Sequence, residues 1–410
     1  MNVSGRFVLA VPGLNGAALR VVLLLLSSAC FAQVSTPLCD AGSGSLEMTV
    51  STGVTVRVGA ARAGDLATRA CAASLLWEHQ QQSVADSVAQ LDVDALDVDL
   101  GWGIPIAAFQ VRKQASDCCA AYYIYSLHKP PRMMRTLTGA SAFRAADTDL
   151  DGRVEIWTDD AAVAAQFEGF ALTEFDAPPM LVLRFEHGEL LDVSAEFQSD
   201  FDQSIAHLRA GLEPASLQDF KASDGVLAAA RGQLPEQFHR LRQTKAKVLQ
   251  IAWSYLYSGR EEEAWKTLGD LWPPSDVSRI RAALLALRAH GIRSQVDEGS
   301  PKTASRKKRV TIFDASVASS SGPTDLLPPK ALLLWRPPAS PDAAQPVSEH
   351  DRLLVLVIDA AGKVRSVQPV EKSWSDPGLL EAARQWKFIP AFHGGKPVAS
   401  RFRMSVSMRR

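Results

Sequence analysis

Apolar and polar positions alternate over residues 46–58, where Leu, Met and Val interleave with Glu, Thr and Arg, and this two-residue period predicts a strand. Short runs of the same kind follow at 106–111, 120–127, 133–137, 154–158 and 180–185. Turn signals such as Pro130-Pro131 and Pro178-Pro179 separate them. Between the first strand and the rest, residues 65–89 read as a helix built around Leu75, Leu76 and Trp77. Residues 33–200 are therefore expected to form a β-rich domain: a sandwich, a barrel or part of a propeller.

The period lengthens over residues 201–295, where Leu, Ala, Gln and Arg dominate. Helices are expected at 202–212, 234–241, 261–269 and 280–289. Val248, Ile251, Ala252, Tyr255, Gly259, Ala264, Leu268 and Leu271 follow a spacing that resembles one tetratricopeptide repeat. Small residues at such positions let two helices cross closely. Residues 296–326 read as a linker, because Ser300-Pro301-Lys302-Thr303 and Ser319-Ser320-Ser321-Gly322-Pro323 cannot build a core.

From 327 to 410 the pattern changes again. The run Leu353–Ile358, the turn Asp359-Ala360-Ala361-Gly362-Lys363 and Val364–Val367 predict a β-hairpin. Leu379, Ala383 and Trp386 fall on one helical face, with Pro390 as the expected stop. Phe402, Met404, Val406 and Met408 alternate with Arg401, Arg403, Ser405 and Ser407, a half-buried strand with a basic wet face. The Asp-x-x-Gly-x-Val turn, the Ala-Ala-Arg-x-Trp-x-Phe-x-Pro-Ala run and Gly-Lys-Pro-Val stand in an order that resembles the C-terminal domain of TonB-type energy transducers, over about 325–408. The resemblance implies a small α+β domain without catalytic chemistry. It also implies an exposed strand edge that pairs with an extended peptide, such as the plug segment of an outer-membrane transporter. The strand over 398–408 is the expected edge, with Arg401, Phe402, Arg403 and Met404 as the partner-binding residues. The Pro-rich spacer of true transducers is missing, so the fold carries over further than energy coupling does. The expected fold class is thus multidomain α+β: β-rich first, helical-repeat-like in the middle, TonB-like at the end.

One motif in the β-rich part carries chemistry. In Asp147-Thr148-Asp149-Leu150-Asp151-Gly152-Arg153-Val154-Glu155, carboxylates at every second position can converge while Gly152 permits a sharp turn. A hard cation taking six to eight oxygens suits such a set. An EF-hand would need Glu at the twelfth position, which is Thr158 here. The loop instead resembles the calcium loops of FG-GAP-type repeats. That resemblance implies ligands from Asp147, Asp149, Asp151, the Arg153 carbonyl and Glu155, with structural Ca²⁺ as the ion.

Composition narrows the function classes. Charged residues make up 22% and apolar residues 47%, and the formal charge is −1, so nothing points to nucleic acid. Residues 1–32 read as a signal peptide, with Arg6 and Arg20 before the apolar 21–26 and small residues before a cut after Ala32; left uncut, the segment would instead anchor the chain, and it is the one expected point of membrane contact. The periplasm or the exterior of a Gram-negative cell is the expected location. Cys39, Cys71, Cys118 and Cys119 are then expected to form disulfides. Because adjacent cysteines strain the chain when joined, Cys39 and Cys71 are expected to pair with that step or with each other. No nucleophile elbow, zincin helix, phosphate loop or Cys-x-x-Cys is present, and the eight histidines are scattered. Two readings remain: a protein-interaction module of the cell envelope, and a secreted calcium-dependent hydrolase or carbohydrate-binding protein with its site in the β-rich domain.

Overall fold

Alternation of buried and exposed side chains shapes the first part of the chain, in a computed structural model that describes residues 37–227, 235–297, 310–315, 325–334, 352–371 and 376–406. The leader expected at 1–32, Cys30 and most of the 296–326 linker lie outside the described residues. No described helix is long and apolar enough to cross a membrane.

Two antiparallel sheets open the fold. One holds Leu46–Thr49, Thr55–Ala63, Leu66–Trp77 and Gln80–Val88 in chain order. The other runs Cys39–Asp40, Gln90–Val98, Ile106–Arg112, Ala120–Ser126 and Arg132–Ala140. Val56, Val58 and Leu75 from the first meet Val93, Phe109 and Tyr125 from the second in one apolar cluster. Stacked sheets of this kind form a sandwich. The helix expected at 65–89 is a correction: those residues form two strands that reverse at Glu78, which adopts φ +52°. Cys71, Ala73 and Leu75 are buried at a period of two, so packing on the facing sheet overrides the helical preference of an alanine-rich stretch. Cys39 bonds Cys71, fastening the edge of one sheet to the other. Cys118 bonds its neighbour Cys119, contrary to expectation. Once Cys39 and Cys71 have each other, no other described thiol is left for that step.

The second sheet is covered on its far side as well. A third sheet, Phe143–Ala146, Glu155–Asp159, Met180–Glu186 and Glu189–Asp192, shares a cluster with it through Ala108, Ile124, Ile156 and Leu183. Helices Pro235–Tyr257, Glu261–Leu271 and Val277–His290 contribute Trp253, Leu268 and Leu284 to that cluster. The boundary read at residue 200 therefore divides composition, not packing. Strand Gln90–Val98 lies inside this layering, and every residue from Leu91 to Val98 is buried.

The C-terminal unit follows its predicted order. Its sheet runs Phe313–Asp314, Ser400–Val406, Arg352–Ile358 and Val364–Pro369. Helix Pro377–Arg384 begins with the Asp376 carboxylate accepting the Leu379 N–H at 3.0 Å. Leu354, Leu356, Ile358, Leu379, Ala383 and Trp386 form the core between helix and sheet. Pro390 does not stop this helix. The chain leaves it at Gln385, and Lys387–Ile389 is already a strand.

Candidate metal centre

The loop 147–155 closes the antiparallel pair Phe143–Ala146 and Glu155–Asp159, whose last register is Ala146 against Glu155. Its curl comes from Leu150 at φ +59° and Gly152 at φ +85°. A side chain on Gly152 would meet nothing, so the backbone angle alone requires glycine there. Successive carboxylates brace the turn from inside. Asp147 Oδ2 accepts the Gly152 N–H at 3.1 Å, Asp149 Oδ1 the Asp151 N–H at 3.3 Å, and Asp151 Oδ1 the Arg153 N–H at 2.8 Å. Glu155 Oε2 accepts the Thr148 N–H at 3.0 Å and holds the two ends of the loop together.

One oxygen from each of Asp147, Asp149 and Asp151 lies within 4.8 Å of the others. Oxygens on opposite sides of a calcium ion stand about 5 Å apart, so this spread suits one ion at their centre. Asp147 and Glu155 are fully buried, yet Asp147 Oδ1 and Glu155 Oε1 have no hydrogen-bond partner. Burial pushes Asp147 up to about 7, with the nearby Asp359 charge adding to it. Burial also drives Glu155 well above the ordinary carboxylate range. Two arginines stand close, but both are shared. Arg184 Nη1 is 3.7 Å from Glu155, while the same guanidinium bonds Glu186 and Glu196 at 2.7–3.2 Å. Arg153 gives its Nε to Asp151 at 2.6 Å. Buried carboxylate oxygens left without a donor are costly, and a divalent cation is the group that satisfies several at once.

The C-terminal unit touches this loop. Asp147 N–H donates to Asp359 Oδ2 at 3.2 Å, and Arg365 Nη2 donates to the Thr148 carbonyl at 3.1 Å. Asp359 Oδ1 meanwhile takes the N–H groups of Ala361 and Lys363, which shapes its own hairpin turn. Just beyond, Lys363 Nζ bonds Asp94 Oδ1 at 2.5 Å, and Asp94 Oδ2 accepts Tyr122 Oη and the Ala145 N–H, both at 2.7 Å. Lys387 pairs with Asp92 in the same buried strand. Burial alone raises the Asp94 carboxyl, but Lys363 and then Lys387 outweigh it and hold it below the usual range. These five residues form a buried polar seam that was not read from the sequence. Its one visible trace is Leu91-Asp92-Val93-Asp94-Ala95-Leu96, where acids interrupt an apolar strand.

The expected peptide edge is placed differently. Arg401 and Arg403 are exposed, while Phe402 and Met404 pack toward the C-terminal core, as the alternation requires. Strand Ser400–Val406 is nevertheless not an open rim along its length. Phe313–Asp314 lies parallel to it, opposite Ser400 and Arg401, and Ala315 N–H donates to the Arg401 carbonyl at 2.8 Å. A short apolar stretch of the linker has taken the start of that edge, so Arg401 is withdrawn from it. Comparison of the chain with family models, with curated proteins and with solved structures gives no match.

Proposed function

We propose that the chain is an exported, non-catalytic protein-binding protein of the cell envelope, in which a divalent cation, Ca²⁺ by the chemistry of its oxygen ligands, organises the 147–155 loop. The observation that carries the cation is the convergence of Asp147, Asp149 and Asp151 oxygens within 4.8 Å of one another, with the buried Asp147 Oδ1 lacking any hydrogen-bond donor among the described residues. Glu155 stands outside that trio, with Arg184 Nη1 3.7 Å from its Oε1. Asp147, Asp149, Asp151 and Glu155 would hold the ion by carboxylate, with the Arg153 carbonyl as the fifth donor. Its role there is structural. The hairpin, helix and strand order of residues 352–406 supports the TonB-like reading of the C-terminal unit. Strand addition is the mode of capture that such a sheet offers. Val364–Pro369 is the last described strand of the sheet on the side away from Phe313, and Arg365 and Gln368 on it are exposed. An extended peptide, of the kind that plugs an outer-membrane transporter, is the partner we assign to that rim.

Calorimetry of Ca²⁺ into chelator-treated full-length protein tests the cation. Saturable binding that Asp149→Asn weakens at least tenfold is expected, and unaltered binding by that variant would remove the loop as the site. For the peptide, hydrogen exchange in the bound state is the measure. Slowed exchange over 364–369 is expected, and slowing at 400–406 alone would return capture to the opposite rim.

A further inference from the structure

Asp359 is fully buried in the turn of the C-terminal hairpin, 212 positions from the loop residue it contacts. Both of its oxygens are engaged, one by its own turn and one by the Asp147 N–H. The docked arrangement thus brings a second buried carboxylate to the backbone of Asp147 at 3.2 Å, and its charge adds to the burial that already disfavours an ionised Asp147. Like charges in a dry setting are costly. A divalent ion among Asp147, Asp149 and Asp151 would neutralise the Asp147 charge and leave Asp359 beside a cation, next to the Arg365 and Lys363 charges that already favour its ionised form. The loop's shape matters too, because the Thr148 carbonyl, held between Asp147 and Asp149, is what Arg365 of the same hairpin grips.

We infer that the 147–155 loop is a latch between the two parts of the chain: a bound divalent cation fastens the C-terminal unit to the β-rich part, and its withdrawal loosens that unit. The inference rests on the cation reading above and adds a regulatory role to it. Coupling of this kind is reciprocal, so a docked Asp359 must also raise the loop's affinity for the ion. The C-terminal unit would then present its binding rim from a fixed position where calcium is abundant and from a loosened one where it is scarce.

The test uses full-length protein, stripped with chelator and titrated with CaCl₂. Hydrogen exchange is followed over 359–364 and 387–389, and calcium affinity is measured for wild type, Asp359→Asn and Arg365→Gln. Calcium is expected to slow exchange in both segments about tenfold, and Asp359→Asn to weaken calcium binding by roughly the same factor, a common size for coupling between sites. Arg365→Gln, on an exposed side chain, keeps the test open if the buried variant fails to fold, and is expected to speed exchange of 359–364 in the calcium-bound state. Calcium binding with unchanged exchange and unchanged affinity in the variants would overturn the latch and leave the cation site standing. No binding of Ca²⁺, Mg²⁺ or Mn²⁺ at millimolar concentration would overturn both.

Discussion

Asp160 closes the strand that leaves the candidate loop, and it is almost fully buried. Its carboxylate accepts Tyr257 Oη and the Ile292 N–H, each at 2.6 Å. Burial nevertheless raises it to about 6, because those two donors only partly replace water and Asp159 adds a like charge. The unfolded chain releases this proton near pH 4, whereas the folded chain keeps it to about 6. Between those values the native state binds more protons, so the group's contribution to stability falls as pH rises through the window, by about 3 kcal/mol in all. Urea melts at pH 4.5 and 7 should show that loss, and Asp160→Asn should flatten it. The contrast with the loop is instructive at this scale. The convergence of Asp147, Asp149 and Asp151 was legible because they stand two positions apart in one loop. Asp92, Asp94 and Asp359 were not, since their partners lie 295, 269 and 212 positions away and no local pattern marks them.

Elements were read well where a single period ruled them. The hairpin at 353–367, the helix around Ala383 and the short strands after 106 all stand close to their predicted bounds. Residues 65–89 failed because alanine serves both periods, and the choice was made by a sheet that the local sequence cannot show. The rim strand failed in part for a similar reason. Phe313 and Asp314 cover its start from a stretch that composition marks as linker. Turn glycines can be separated by their surroundings. Gly362 has φ +77°, and a Cβ there would sit 1.8 Å from the Phe388 carbonyl oxygen. Gly395 has φ +73° with nothing near. Gly395→Ala should cost about 1 kcal/mol from the backbone angle alone. Gly362→Ala should cost about 3 kcal/mol or more, since the hairpin must also move off the Lys387–Ile389 strand. Paired urea titrations of the two variants measure the difference.

For the molecule as a whole, the two lysine–aspartate pairs decide whether the tail is an appendage or a structural part. Lys363 and Lys387 are both buried, and so are Asp94 and Asp92. Lys387→Ala leaves Asp92 as an uncompensated charge in a dry strand and should cost about 3–5 kcal/mol. The double variant Asp92→Leu with Lys387→Met should recover most of that loss, because a packed apolar pair can replace a buried ion pair. Equal instability of the single and double variants in thermal unfolding would show that packing, not charge, holds this seam. Ile389 and Ala361 extend the same interface by joining the apolar clusters of the sandwich and of the helical layer.

Such a seam also fixes an order of events during synthesis. A ribosome that has emitted the sandwich but not yet the C-terminal unit has released a strand, Gln90–Val98, that carries two acids with no lysine to meet them. Those acids wait for Lys363 and Lys387, encoded 269 and 295 codons further on, so a chain stopped before them is not a shorter working protein but an unfinished one.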